Sequence, residues 1–191
     1  MMRPAVFLDR DGTLNKEVGY LDHLDRFELY PWAIDAVRLL NRAGFVVVVV
    51  TNQAGVARGL LSEKFLGDLH QHMTDIFSVG GAKIDRIYYC PHHPEAPVEA
   101  YRFHCDCRKP SPGMVRQAER ELSLDLVRSF VVGDRWCDVQ LAQAVGAKGI
   151  LVRTGYGASE VGSPPEGVSV AAVRSNLMEA VGWVLQQRLG R

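Results

Sequence analysis

The 191-residue sequence has no excess of charge of either sign. Lysine and arginine together number 22, aspartate and glutamate also number 22, and the formal net charge is +0. Nucleic-acid-binding proteins usually carry a basic surface track, and attachment to an anionic membrane needs clustered positive charge. The balanced composition therefore argues against both partners. Recognition of an anion would have to come from a local group of residues.

Long hydrophobic runs are also absent. The valine run at residues 46–50 is far shorter than the ~20 apolar residues that span a bilayer. The apolar run at residues 5–8 is too short for the core of a signal peptide. Cysteines number only 4, and cytosolic thiols stay reduced. We therefore expect a soluble cytoplasmic protein without a membrane partner, whose cysteines are metal ligands or buried apolar residues.

The most informative stretch begins with the apolar residues 5–8 and continues into Asp9 and Asp11, followed by Gly12 and Thr13. An apolar run bounded by a glycine signal predicts a buried strand. If Asp9 and Asp11 are still extended, their side chains lie on the same side of the chain. Mg²⁺ would relieve the repulsion between the two carboxylates, and an aspartate can also act as a covalent nucleophile. A solvated turn is the alternative, because Asp and Gly are frequent in turns.

Segments with strand and helix patterns alternate along the rest of the chain. Further buried strands are predicted at residues 45–50, 84–89, 130–132 and 149–152. Helices are predicted at residues 33–43, 62–79, 112–122, 139–145 and 176–189. Ser62 is the predicted cap of the second helix, and Ser111-Pro112 begins the third. Residues 154–171, rich in Gly, Ser and Pro, are predicted to be a loop. This alternation predicts an α/β fold, a three-layer Rossmann-like parallel sheet with helices on both faces.

Polar side chains follow the predicted strands at the points where these strands end. They are Asp9, Asp11, Thr51, Asn52, Gln53 and Asp134. Because ligands bind beyond the carboxyl ends of parallel strands, we expect these residues to converge on one crevice. Asp134 suits a metal ligand, whereas Asp138 can equally be only the cap of the next helix, and Thr51 can equally cap a turn.

Arg108 and Lys109 place two cations just before a predicted helix. Lys109 is a candidate for neutralising a carboxylate and a phosphate together. The alternative is a pair of solvated basic side chains on the surface.

A proline-rich loop, residues 90–107, contains three of the cysteines and several histidines. Three thiolates and one imidazole match a closed, tetrahedral structural zinc site, for which the candidates are Cys90, His92, Cys105 and Cys107. His93 and His104 are competing ligands, with ordinary surface or buried histidines as the alternative. A closed site leaves no position for a reacting water, so zinc is expected to staple the loop rather than to catalyse.

Four segments resemble, in chain order, the four motifs of the haloacid-dehalogenase superfamily of phosphohydrolases. They are residues 9–13, residues 51–52, Lys109 and residues 133–138. The resemblance covers about residues 5–153. It implies that Asp9 is the nucleophile that accepts the phosphoryl group. It also implies that Asp11 protonates the leaving alkoxide and then activates water, which favours a phosphatase over a dehalogenase.

The same resemblance implies the surroundings of the phosphoryl group. Mg²⁺ would be held by the side chains of Asp9 and Asp134 and by the main-chain carbonyl of Asp11. Lys109 and Thr51 would stabilise the transferring oxygens, in a reaction that depends mostly on positioning and charge neutralisation.

The zinc loop narrows the resemblance to a zinc-containing subgroup whose members act on heptose bisphosphate or on histidinol phosphate. Substrate contacts are then expected from Glu17, Val18, Gly19, Tyr20, Thr51, Asn52, Gln53, Ala54, Arg108, Lys109 and Arg135. Arg108 is the expected partner of a phosphate that is not cleaved. No long insertion follows the first two motifs, so we expect residues 1–191 to form a single domain without a cap. Residues 16–30 and the zinc loop would then shape specificity.

The resemblance thus implies a monomeric, Mg²⁺-dependent phosphatase that removes the 7-phosphate of a heptose 1,7-bisphosphate, a small-molecule sugar bisphosphate. This step leads to nucleotide-activated heptose for surface glycans such as lipopolysaccharide. The nearest alternative is a histidinol-phosphate phosphatase, which would share every catalytic residue. An alternative of a different class is a non-catalytic, zinc-stapled binding module, which leaves the Asp9 and Asp11 pair unexplained.

Overall fold

The computed structural model describes residues 2–189, and its centre is a six-stranded sheet in which all neighbouring strands are parallel. The strands are β1 (Ala5–Leu8), β2 (Val46–Asn52), β3 (Arg86–Cys90), β4 (Phe130–Gly133), β5 (Lys148–Val152) and β6 (Ala172–Arg174). Their order across the sheet is β3-β2-β1-β4-β5-β6. The register places Leu8 beside Val49 on one side and Val132 on the other, so β1 lies in the interior of the sheet.

Seven α-helices accompany these strands within residues 2–189. They are α1 (Ala33–Arg42), α2 (Ala54–Ala57), α3 (Glu63–Val79), α4 (Gly113–Leu122), α5 (Trp136–Val145), α6 (Gly157–Glu160) and α7 (Leu177–Leu189). Single 3-10 turns occur at Leu24–Arg26 and Glu99–Tyr101. No helix in this described part of the chain combines the length and apolar character needed to cross a membrane.

The central strands are buried on both faces, which is why their sequences are continuous apolar runs. Along β1, Val6 and Leu8 pack toward α1, α3 and α7, in a cluster that includes Val37, Met73 and Val181. Phe7 points to the opposite face, where α4 and α5 cover the sheet. Each fully buried side chain of this size contributes about 1.5–3 kcal/mol relative to an exposed one. The predicted three-layer α/β arrangement is confirmed.

Most predicted elements are present, and their ends show why. Ser62 caps α3 by accepting a hydrogen bond from the Phe65 N–H at 3.1 Å, and Gly80 ends this helix. Gly146, at a φ of 75°, ends α5, as the sequence predicted. Two predicted starts were wrong. The helix α4 begins at Gly113, with Pro112 at the cap position, and α5 begins at Trp136, three residues before the predicted start.

Three short elements were not predicted. The region 154–171 was predicted to be a loop, but it contains α6. The four-residue α2 and the three-residue β6 were also missed. Elements this short do not complete enough turns or alternations to give a periodic signal. Two of them, α2 and α6, follow strand ends and therefore lie near the site.

Candidate active site

The polar residues that follow β1, β2 and β4 line one cleft of about 400 Å³ at the carboxyl edge of the sheet. The predicted residues that line it are Asp9, Asp11, Glu17, Gly19, Tyr20, Thr51, Asn52, Gln53, Ala54, Arg108, Lys109, Asp134 and Arg135. Val18 is the predicted contact that does not line the cleft. Its side chain packs against a small apolar cluster with Leu21 and Val56, and its carbonyl accepts a hydrogen bond from Arg26.

Asp9 lies directly after β1 and is fixed to the neighbouring strand, because its N–H donates to the Val132 carbonyl at 2.9 Å. Its Oδ1 accepts a hydrogen bond from the Arg10 N–H at 2.8 Å and forms an ion pair with Nζ of Lys109, also at 2.8 Å. Burial raises the pKa of Asp9 to about 6, although the Lys109 charge opposes this shift. The side chain is therefore a desolvated carboxylate held against a single cation.

Lys109 is the cation of the cleft floor, and it is only 4% exposed. Its Nζ forms ion pairs with Asp9 at 2.8 Å and Asp138 at 2.7 Å, and it donates a hydrogen bond to the Val50 carbonyl at 2.9 Å. Burial lowers the pKa of Lys109, but the charges of Asp138 and Asp9 outweigh burial and raise it above its ordinary value. Lys109 therefore stays charged, and a solvated surface location is excluded for it.

Two residues at the end of β2, Asn52 and Gln53, position their neighbours. Asn52 holds the main chain of Lys109, accepting from its N–H at 3.0 Å and donating to its carbonyl at 3.2 Å. Gln53 donates from Nε2 to the Thr51 hydroxyl and to Asp11, both at 2.8 Å. Thr51 therefore accepts one hydrogen bond and keeps its own hydroxyl hydrogen available to donate.

Asp134 follows β4 and is almost fully buried, at 1% exposure. Burial, and then the nearby charge of Asp9, raise its pKa to about 8. A side chain at Gly12, whose φ is 80°, would overlap Asp134, since a Cβ there would lie 2.2 Å from Oδ2. The main chain thus approaches this carboxylate as closely as glycine allows.

The buried acids carry more charge than the cleft neutralises. Carboxylate oxygens of Asp9, Asp134 and Asp138 lie within 4.8 Å of one another, and Lys109 is the cation that contacts two of them. Three carboxylates share one lysine, and their mutual repulsion adds to burial in raising the pKa values of Asp9 and Asp134. A hard divalent cation bound by carboxylate oxygens would supply the missing charge. The donor set therefore fits Mg²⁺.

Asp138 caps the next helix, as the sequence allowed, and it also contacts Lys109, which the sequence did not predict. Its Oδ1 pairs with Lys109 at 2.7 Å, while its Oδ2 accepts a hydrogen bond from the Arg135 N–H at 3.2 Å, at the start of α5. It is fully buried. One carboxylate thus caps the helix and fixes the lysine.

Sequence reasoning missed Arg10, which is the largest fully buried side chain of the described residues. Its NH2 donates to both carboxylate oxygens of Asp11, at 2.9 and 2.7 Å, and to Oε1 of Gln53 at 3.1 Å. Its NH1 lies 3.1 Å from Nε2 of His70. Burial, and then the Arg10 charge, lower the pKa of His70 to about 3, so this imidazole is neutral and accepts the hydrogen bond. The available signal was an arginine between two acids, directly after a buried apolar strand.

The pKa of Asp11 is shifted in the opposite direction from that of Asp9. Burial raises its pKa, but the Arg10 charge and hydrogen bonds from Asn15, Arg10 and Gln53 outweigh burial and lower it below the ordinary value. Asn15 donates to Asp11 Oδ1 at 2.9 Å. Asp11 is not part of the three-carboxylate group, so only its main chain is a candidate metal ligand.

The cysteine loop brings its four predicted ligands together, with all ligand atoms within 4.8 Å of one another. The Sγ of Cys107 lies 3.2 Å from the Sγ atoms of Cys90 and Cys105 and 3.3 Å from Nδ1 of His92. The S–S bond of a disulfide is about 2.05 Å long, so these sulfurs are too far apart to be bonded. Thiolates that each bind one tetrahedral zinc at about 2.3 Å are not bonded to one another, which agrees with this spacing. The competing residues His93 and His104 lie outside this group.

Parallel strands in this order, with buried acids and a lysine at their carboxyl ends, define a haloacid-dehalogenase-like fold. The HAD-hydrolase-like family model matches residues 106–180. The L-2-haloacid dehalogenase RSc1362 superimposes with a TM-score of 0.60 at 14% identity over 97% of this chain and 100% of that structure, which shows the shared fold alone.

Closer relatives narrow the family. The sequence is 49% identical over 154 residues to the D-glycero-beta-D-manno-heptose-1,7-bisphosphate 7-phosphatase of Escherichia coli K12, covering 80% of each chain. It is 47% identical to the enzyme of the same name from Photorhabdus laumondii, covering 80% of this chain and 81% of the relative. The crystal structure of D,D-heptose 1,7-bisphosphate phosphatase from B. bronchiseptica, complexed with magnesium and phosphate, aligns with a TM-score of 0.84 at 33% identity, over 96% of this chain and 99% of that one. The chain belongs to the D-glycero-beta-D-manno-heptose-1,7-bisphosphate 7-phosphatase family.

Proposed function

We propose that this protein is a Mg²⁺-dependent phosphatase that removes the 7-phosphate of D-glycero-D-manno-heptose 1,7-bisphosphate. The observation that carries the proposal is the meeting of Asp9, Lys109 and Asp134 in one cleft. The names of the relatives support the substrate. Histidinol phosphate is the nearest alternative substrate, and a non-catalytic, zinc-stapled module is the alternative of a different class.

In the proposed reaction an Asp9 oxygen attacks the phosphorus and the bond to the sugar oxygen breaks, giving an aspartyl-phosphate and an alcohol. Lys109 contacts Asp9 and thus lies where negative charge accumulates. Thr51 donates its hydroxyl hydrogen to a transferring oxygen. Bound Mg²⁺, held by Asp9, Asp134 and the Asp11 carbonyl, supplies charge neutralisation at the phosphate.

Asp11 transfers the protons in both half-reactions. A phosphate dianion against Asp9 adds negative charge beside Asp11 and raises its pKa, which favours the form that protonates the departing sugar oxygen. Once the alcohol leaves, Asp11 is ionised, the form that Arg10 stabilises and that accepts a proton from the attacking water. General acid–base catalysis of this kind is typically worth ~10²–10⁴ in rate.

The phosphate that is not cleaved needs its own cations. Arg108 and Arg135 both line the cleft, and both can donate to phosphate oxygens. Glu17, Gly19 and Tyr20 form another part of the lining and are the proposed contacts to the sugar. We also propose that residues 1–191 work as one cytoplasmic, monomeric domain in the supply of activated heptose for lipopolysaccharide.

A phosphate-release panel tests the function. Heptose 1,7-bisphosphate in both anomers, histidinol phosphate and fructose bisphosphate are assayed with and without Mg²⁺. We expect the largest kcat/KM with a heptose bisphosphate and little release without Mg²⁺. A larger kcat/KM with histidinol phosphate would show that histidinol phosphate is the substrate instead. No phosphate release from any of these compounds would support the alternative of a non-catalytic binding module.

Mg²⁺ binding should weaken as the pH falls. Asp134 and Asp9 have pKa values raised to about 8 and about 6, so below pH 8 a proton on Asp134 competes with the cation. Since binding displaces this proton, the apparent Kd should increase about tenfold per pH unit between pH 8 and pH 6. Isothermal titration with MgCl₂ at pH 8.5, 7 and 6 measures it. An affinity independent of pH would contradict the shared carboxylate site.

We propose that Cys90, His92, Cys105 and Cys107 hold one structural zinc ion. Zinc would connect the end of β3 to residues 105–107 and so fix Arg108, whose NH1 donates to the His92 carbonyl at 3.2 Å. Cys105→Ser is then expected to lose zinc and to lower the Tm by several degrees. Elemental analysis and thermal melting measure both effects.

The chain supplies its own control for that experiment. Cys137 lies in the catalytic cleft, outside the group of four ligands. Cys137→Ser should therefore retain one zinc per chain. Equal zinc contents in the two variants would contradict the assignment of the site.

A further inference from the structure

The segment 154–160, which follows β5 and includes α6, reaches the cleft through Tyr156, although no sequence motif marked it. It contacts three consecutive residues at the β4–α5 junction, Asp134, Arg135 and Trp136. Tyr156 donates its N–H to Asp134 Oδ2 at 2.7 Å, and the Tyr156 ring lies under the guanidinium of Arg135. Glu160 accepts from the Trp136 main-chain N–H at 3.0 Å and from its indole N–H at 2.7 Å.

The contact between Arg135 and Tyr156 is a cation–π pair. The Arg135 Cζ lies 3.9 Å from the centre of the Tyr156 ring, and both side chains line the cleft. Within residues 2–189, Arg135 takes part in no ion pair with a carboxylate. The ring contacts one face of the guanidinium and leaves its in-plane N–H groups available for an anion.

Restricting an exposed arginine before a ligand binds improves affinity, since less side-chain entropy is lost on binding. The Arg135 side chain is exposed at the cleft, and the aromatic ring is the contact that limits its conformations. Because both side chains line the cleft, the ring holds this charge at the cleft wall.

We infer that Tyr156 determines specificity for bisphosphates, because its ring positions Arg135 to bind the phosphate that is not cleaved. This inference rests on the proposed phosphatase function and deepens it. The two contacts of Tyr156 are chemically separate. Its N–H, which any residue other than proline has, donates a hydrogen bond to Asp134. The cation–π contact with Arg135 requires an aromatic ring.

The test compares two substrates, heptose 1,7-bisphosphate and heptose 7-phosphate, which differ only in the phosphate that Arg135 would bind. Tyr156→Leu keeps the N–H and much of the volume but removes the π face. We expect its KM for the bisphosphate to rise about fivefold to tenfold, in line with the strength of cation–π pairs, with kcat within twofold. The KM for the monophosphate should not change.

Two further variants separate positioning from a general structural effect. Tyr156→Phe keeps the ring and should restore the low KM for the bisphosphate. In an Arg135→Met background, Tyr156→Leu should add no further increase, since the pair acts as one unit.

The outcomes distinguish this inference from the proposed function. An active wild-type enzyme whose Tyr156→Leu variant keeps the wild-type KM, or loses affinity for both substrates equally, overturns the inference alone. A wild-type protein that releases no phosphate from either compound overturns the proposed function and the inference with it.

Discussion

Asp9→Asn should reduce phosphate release by at least about 10⁴-fold in kcat, the scale expected when a nucleophile is removed. The amide has the shape of the carboxylate and can still accept a hydrogen bond from Lys109, so the cleft should stay intact. An amide oxygen cannot form the aspartyl-phosphate, however. Steady-state assays with the heptose bisphosphate measure the loss, and circular dichroism checks that the variant is folded.

A matched control for this substitution lies on the surface. Asp68 is an exposed residue of α3 that pairs with Lys64. Asp68→Asn should keep the wild-type kcat. Near-normal turnover in Asp9→Asn would refute the assignment of the nucleophile.

Lys109→Met should have the second largest effect, on stability as well as on activity. Methionine has similar length but no charge, so Asp9 and Asp138 would lose the cation that contacts both. Breaking a buried ion pair by removing one partner costs about 3–5 kcal/mol. We expect a loss of this size in the free energy of unfolding, measured by urea denaturation, and at least about a 10²-fold loss of kcat.

A surface lysine provides the comparison. Lys64 is 84% exposed in its pair with Asp68, so Lys64→Met should change the unfolding free energy by less than about 0.5 kcal/mol. If Lys109→Met fails to fold, Asp138→Asn removes one of the two contacts and should give a smaller loss in both measurements. Equal stabilities of Lys109→Met and Lys64→Met would contradict the buried role of Lys109.

The sheet and the meeting of polar residues at its carboxyl edge could be predicted because their signals are local. Val46–Asn52 begins with five consecutive valines, which only a strand buried on both faces explains, and polar residues follow it directly. Asp9 and Asp134 each come directly after a buried strand. The carboxyl ends of parallel strands lie at the same edge of the sheet, which brings these two positions together. For Lys109 the residues alone left a solvated surface position as an alternative, because its place depends on a loop, and the family resemblance favoured the cleft.

The contacts that were missed depend on distant residues. Arg10 was treated as a spacer between two acids, and its partner His70 lies sixty positions away on α3, in a place where the helical pattern predicts an ordinary buried side chain. Tyr156 is in a region whose Gly, Ser and Pro content suggested a loop, and only folding shows that it returns to Arg135. Local periodicity carries no information about such pairings.

The separate counter-ions of the first two acids have a consequence for their chemistry. Asp9 is paired with Lys109 and Asp11 with Arg10, although they are only two residues apart. In an aspartic protease, by contrast, two neighbouring carboxylates share one proton and act as a single dyad. Here each acid has its own partner, so two chemically identical side chains are differentiated before any substrate arrives. The proposed mechanism requires this difference, since in it Asp9 forms a bond and Asp11 carries hydrogen ions.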